Sequence, residues 1–166
     1  MAGNITEKLG TAALALTCSL APGGTGLANN GARESTAIDN SSDLFQDVLV
    51  QLKIKSGASG VSSSGVVNVY AYGTVDPATP TYADNCTGTD ASVTLVVPPN
   101  LRVIGQLNVV ANATTYKSMP MSVAAAFGGV MPTKWGIVIE NKSGAALDTT
   151  EANHAKLYQG IFSQYT

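Results

Sequence analysis

A single histidine, His154, eleven acidic residues and two cysteines are the chain's whole stock of groups that act as acid, base, nucleophile or metal ligand near neutral pH. His154 lies in Glu151-Ala152-Asn153-His154-Ala155-Lys156, a polar approach to an expected strand, which is the setting of a surface or loop-bonding histidine. Serines are plentiful enough for a Ser-His-Asp relay by count, yet no Gly-x-Ser-x-Gly elbow surrounds any of them. A paired-carboxylate glycosidase needs two acids converging on a cleft with aromatic sugar platforms, and Trp135 is the only tryptophan. Ile137 and Ile139 share its face at strand spacing, so Trp135 is expected in the core. The residues point away from catalysis, and neither enzyme activity nor a cofactor is expected.

Asp76, Asp84 and Asp90 lie in one turn-rich segment, and calcium takes about six to eight oxygens in flexible geometry. The spaced Asp-x-Asp-x-Asp-Gly register of a hand-type loop is missing, so Asx-turns explain these acids better and calcium stays the minor alternative. Gly23-Gly24-Thr25-Gly26 has the glycines of a phosphate cradle but no following lysine and no expected helix. Cys18 and Cys86 are expected as buried reduced thiols, with a disulfide between them left open.

Charge and hydrogen-bonding groups are densest in Arg33-Glu34-Ser35-Thr36-Ala37-Ile38-Asp39-Asn40. Two readings stand side by side: an internal clamp, or a contact in which the planar fork of Arg33 reaches a carboxylate of a neighbouring subunit. On the second reading Arg33, Glu34, Asp39 and Phe45 are the candidate partner-binding residues. Phe45, Met119, Met121 and Met131 are apolar anchors if exposed and core residues if not.

The elements that would hold these residues follow from composition and period. The 166 residues suit one domain, expected to span 1–166, with residues 1–30 as an N-terminal strand and polar loop able to act as an interaction arm. Charged residues are 12% of the chain, and the net charge of −2 gives no basic face for a phosphate backbone, so nucleic acid is excluded as the main partner. No apolar run approaches the roughly 20 residues of a membrane-crossing helix, and residues 11–21 read as a strand rather than a signal peptide.

Period two recurs along the chain, clearest at residues 48–55, where Val48, Val50, Leu52 and Ile54 alternate with Leu49, Gln51, Lys53 and Lys55. Further strands are expected at 9–20, 66–72, 92–97, 101–110, 121–127, 135–140 and 157–165. With no amphipathic helix to serve as a parallel crossover, they predict an all-β, antiparallel sandwich, of which a jelly roll is one form. Residues 22–43 and 76–91 read as long polar loops, and 56–65 as a flexible hairpin tip. Residues 22–43 are expected to be too polar to pack alone, and so to be protease-sensitive until a neighbour orders them.

Arg33 to Asn40 with Leu44-Phe45, then Val69-Tyr70-Ala71-Tyr72-Gly73, then Ser122-Val123-Ala124-Ala125-Ala126-Phe127-Gly128-Gly129 leading into Lys134-Trp135-Gly136-Ile137-Val138 form a familiar series. It continues through Asn141-Lys142-Ser143-Gly144-Ala145-Ala146-Leu147 and Tyr158-Gln159-Gly160-Ile161-Phe162. Together these stretches resemble small virion-associated structural proteins of tailed bacteriophages. The resemblance implies a non-enzymatic virion component, assembled in the host cytoplasm, with other virion subunits as partners. The leading expectation is a capsid decoration or cement protein that binds the major capsid protein as a homo-oligomer; the alternative is a neck, collar or tail component. Apart from the resemblance, exposed Tyr70, Tyr72 and Tyr82 around a shallow groove would make a carbohydrate-binding module for host attachment.

Overall fold

The computed structural model describes residues 4–165. Among them, strands form two antiparallel sheets that face each other across one core, an all-β sandwich. Sheet I runs in the order β1 (Ile5–Leu9), β12 (Ala155–Tyr165), β5 (Asp47–Lys55), β10 (Met121–Ser122), with β2 (Leu14–Ala15) also on β12 and β9 (Thr115–Lys117) also on β5. Sheet II runs β7 (Ala91–Val93), β3 (Ala32–Glu34), β11 (Lys134–Lys142), β6 (Val66–Thr74), β8 (Arg102–Asn108), with β4 (Ile38–Asp39) also on β11.

Alternation builds the core. Val48, Val50, Leu52 and Ile54 of β5 meet Val67, Val69 and Ala71 of β6 and Trp135, Ile137 and Ile139 of β11 between the sheets. Full burial of each large aliphatic side chain stabilises by about 1.5–3 kcal/mol relative to exposure. Trp135 is in this layer as expected, edge-on to Tyr158 with ring centroids 5.5 Å apart. Its indole N–H has no hydrogen-bond partner among the described residues, and packing holds the ring.

Several expected boundaries are corrected. Residues 9–20 do not form one strand: only Leu14–Ala15 are in a ladder, although Leu16, Cys18 and Leu20 are buried at period two. The segment passes from one sheet to the other, since Leu16 N–H donates to Lys156 of sheet I while Thr17 O accepts from Thr36 beside sheet II. Residues 22–43 are not a free loop, because β3 sits inside sheet II between β7 and β11, and Ala32, Glu34, Ser35 and Asn40 are buried. Residues 56–65 are no hairpin tip either; they join β5 of one sheet to β6 of the other. The strands expected at 92–97 and 121–127 shorten to β7 and β10, the latter followed by a 3₁₀ turn at Ala124–Phe127 that Gly128 ends at φ 76°.

Residues 75–101 fold back across the outer face of sheet II as a flap. Beneath it Ala32, Tyr70, Tyr72 and Val138 pack with Cys86, Val93 and Leu101 in a second apolar layer. Residues of β11 that alternation would send to solvent are therefore covered, which is why Trp135–Asn141 are all buried. Tyr72 lies directly over Gly136, where an added Cβ would come within 2.4 Å of the Tyr72 ring.

At the other side of the molecule Ile161 of β12 pairs with both Leu9 of β1 and Asp47 of β5, and beyond it β12 pairs with β1 alone, Lys8 opposite Phe162 through Ile5 opposite Tyr165. All five residues of β1 are exposed, so this ribbon stands off the sandwich as an arm.

Candidate functional site

The densest polar segment is an internal clamp. Arg33 is on β3 opposite Ser92 of β7, and its guanidinium donates through Nε to Asp90 Oδ1 (2.6 Å) and through Nη2 to Asp90 O (2.8 Å). Ser19 completes the cage, donating from its N–H and hydroxyl to the same carboxylate at 2.9 and 2.5 Å. Burial pushes the Asp90 carboxyl up, but the hydrogen bonds from Ser19 and Arg33 outweigh it and hold the group below the usual carboxylate range. Glu34, 1% exposed, accepts from Thr87 N–H at 3.0 and 2.9 Å, from the Thr87 hydroxyl at 2.8 Å and from Gly88 N–H at 2.9 Å. Arg33 and Glu34 thus pin the flap to sheet II from two sides.

The other two candidates lie apart from this clamp. Asp39 is exposed; its hydrogen bonds from Ser41 hold its carboxyl below the usual range, with Lys134 Nζ 3.9 Å away. Phe45 is half-buried over Gly160, and Asn40 brackets it, accepting its N–H at 2.9 Å and donating to its carbonyl at 3.1 Å. Arg33, Glu34, Asp39 and Phe45 therefore form no common exposed patch.

The acids of the flap go to separate partners. Asp76 accepts from Ala78 and Thr79 N–H in an Asx-turn, Asp84 from Asn100, and Asp90 from Arg33 and Ser19. Among the described residues no group of three His, Cys, Asp or Glu could hold a metal ion. His154 is buried rather than at the surface, and it does bond the loop. Its Nδ1 accepts from Lys55 N–H at 3.3 Å, which leaves the proton on Nε2 to donate to Asp148 O at 3.0 Å. Burial lowers its pKa below the ordinary histidine value, against the pull of the Asp148 carbonyl and Glu151.

Cys18 packs between the sheets and Cys86 under the flap, in different apolar layers; both are free, and burial pushes each thiol up to about 12. The tyrosines proposed as sugar platforms are not exposed: Tyr70 and Tyr72 are buried, the Tyr72 hydroxyl donating to Ser35 O at 2.5 Å, and Tyr82 is half-buried edge-on to Tyr72. A cleft of about 690 Å³ opens beside them with Asn68, Tyr70 and Glu140 on its floor. The Glu140 carboxylate accepts there from Asn68 (3.0 Å) and the Tyr70 hydroxyl (2.9 Å), so these groups bond one another with no aromatic face turned outward.

Large apolar side chains are exposed on loops, Leu44, Val75, Val97 and Val130 among them, and at both edges of the sandwich. On the arm Ile5 is 73% and Leu9 53% exposed; at the opposite side Val103 of β8 is 58% and Met119 81% exposed. Of the expected anchors only Met119 faces solvent fully, whereas Met121 is buried and Met131 half-buried. Ile5 and Val103 were not singled out by sequence, since the polar run Thr6-Glu7-Lys8 between Ile5 and Leu9 shows no apolar–polar alternation to mark a strand. No protein-family profile, curated protein or solved structure matches this chain.

Proposed function

We propose that this chain is a non-enzymatic structural subunit of a tailed-bacteriophage particle, a capsid decoration or cement protein that binds the major capsid protein. The observation that carries the reading is the contrast between body and edge. The polar clusters of the body, Arg33–Asp90, Glu34–Thr87 and His154–Asp148, bond within the chain, while the arm and the β8 edge present unpaired strand and exposed apolar side chains. An arrangement of this kind suits a part that is bound by neighbours rather than one that turns over a substrate. The phage setting rests on the sequence resemblance.

Sedimentation with purified empty capsids, separated tails and whole particles of the source phage tests it. Saturable co-pelleting with capsids at a fixed ratio to the major capsid protein is expected. Binding confined to the tail fraction moves the chain to a neck, collar or tail position, and binding to none of the three overturns the reading.

A further inference from the structure

The sandwich is open along one side. Between β8, at the end of sheet II, and β10, at the end of sheet I, runs a groove of about 840 Å³ whose lining includes Arg102, Val103, Ile104, Met119, Met121 and Ala126. β8 pairs with β6 on one edge and with no strand on the other among the described residues. The phase of its ladder follows from Val109 N–H donating to Gly65 O, which turns the backbone groups of Gln106 and Asn108 to the open edge. A register shift between Gly105 and Val103 separates this stretch from Arg102, and the short open edge, beside exposed apolar side chains, is a template for another strand.

The arm is such a strand. Gly10 N–H donates to Gly160 O at 2.8 Å, so the even-numbered residues of β1 bond β12 and the backbone groups of Ile5, Glu7 and Leu9 face outward. Their side chains share one face, two apolar groups flanking one acid. Arg102 is the only charged residue lining the groove, and neither it nor Glu7 makes an ion pair among the described residues. The two surfaces match in backbone pattern, in apolar content and in charge. They also lie on opposite sides of the molecule, because β1 ends sheet I at the side away from β10.

We propose that β1 of one copy of this chain adds alongside the open edge of β8 in a second copy, seating Ile5, Glu7 and Leu9 at the groove with Glu7 facing Arg102. Because arm and groove are on opposite sides, the contact runs head to tail, so copies close into a ring or extend as a filament rather than stopping at a twofold dimer. The inference deepens the assembly-subunit reading by naming a second copy as one partner.

Mass photometry and sedimentation velocity on the full-length chain test it. The wild type should self-associate; a chain that stays monomeric at every concentration overturns the proposal. An arm variant (Ile5→Asp with Leu9→Asp) and a groove variant (Val103→Asp with Met119→Asp) should each be monomeric, and mixed they should form a 1:1 pair, since each retains the half the other lacks. Unchanged oligomers in either variant, or no pair on mixing, overturn it. Arg102→Glu and Glu7→Arg should each weaken association at least tenfold and restore it when combined; failure of the combination overturns the assigned ion pair. A chain that pellets with capsids yet stays monomeric sinks this inference alone, and one that self-associates but binds no particle sinks the phage reading alone.

Discussion

Replacing Glu34 by glutamine keeps the shape of the side chain and removes its charge, and the structure fixes what that does. Both carboxylate oxygens receive the Thr87 N–H, one also takes the Thr87 hydroxyl and the other the Gly88 N–H, all at a site 1% exposed. The amide retains one acceptor and turns an NH2 toward a backbone N–H, so one to two charge-assisted bonds are lost where water cannot replace them. At about 1.5–3 kcal/mol each, the expected cost is roughly 1.5–6 kcal/mol. For a chain of this size that lowers Tm by about 3–24 °C. Thermal unfolding by circular dichroism reads the global effect, and hydrogen exchange reads its place. Exchange should rise first across residues 84–93, while β5 and β11 keep their protection. A fall in Tm under about 2 °C, corresponding to less than 1 kcal/mol, would refute the claim that Glu34 anchors the flap.

Burial depresses His154, so the unfolded chain takes up a proton first as pH falls below 6.5, and stability should decline from there down to the lower folded value; urea unfolding should show this slope and His154→Gln should flatten it. The Asp148 carboxyl, held well below the ordinary range by hydrogen bonds from Asn153 and Lys55, adds a separate loss below pH 3.8, which Asp148→Asn should remove. Gly136→Ala forces a methyl into the Tyr72 ring, whose hydroxyl is tied to Ser35, and should cost about 1–3 kcal/mol in urea unfolding; a neutral result would mean that the ring shifts freely. With both thiols pushed up to about 12 by burial, Cys18 and Cys86 should resist a thiol reagent at pH 8 in the native chain and react together in denaturant, whereas rapid native labelling would contradict their burial.

How much of this was legible in the sequence depends on where each residue finds its partner. Val48, Val50, Leu52 and Ile54 declare β5 because the alternation lies within nine residues. Trp135, Ile137 and Ile139 declare one face of β11; the other face, with Gly136, Val138 and Glu140, is covered by a flap whose docking depends on distant contacts. β3 was hidden for the same reason. Ala32-Arg33-Glu34 carries two charges in three residues and reads as loop, and only Asp90, 57 positions away, and Thr87, 53 positions from Glu34, make those charges compatible with a strand inside the sheet. The crossing at residues 56–65 was unreadable because Ser and Gly suit a hairpin tip and a passage between sheets equally. In the candidate site, the choice between clamp and partner contact for Arg33 turned on that same distant Asp90. Residues 22–43, expected to be cut until a neighbour orders them, include β3 and the buried Ala32, Glu34, Ser35 and Asn40, whereas residues 75–81 of the flap are exposed throughout and are where a protease should enter first.

Thr6 of β1 and Gln164 of β12 are 158 positions apart, so β1 finds its partner only once β12 is in place. β12 itself lies between β1 and β5 in sheet I. Until it docks, β1 has no ribbon to belong to, and its outward-facing backbone has no fixed register to offer. On the proposed contact a copy therefore gains the means to reach a neighbour only with that pairing, and completion of its own fold licenses its joining.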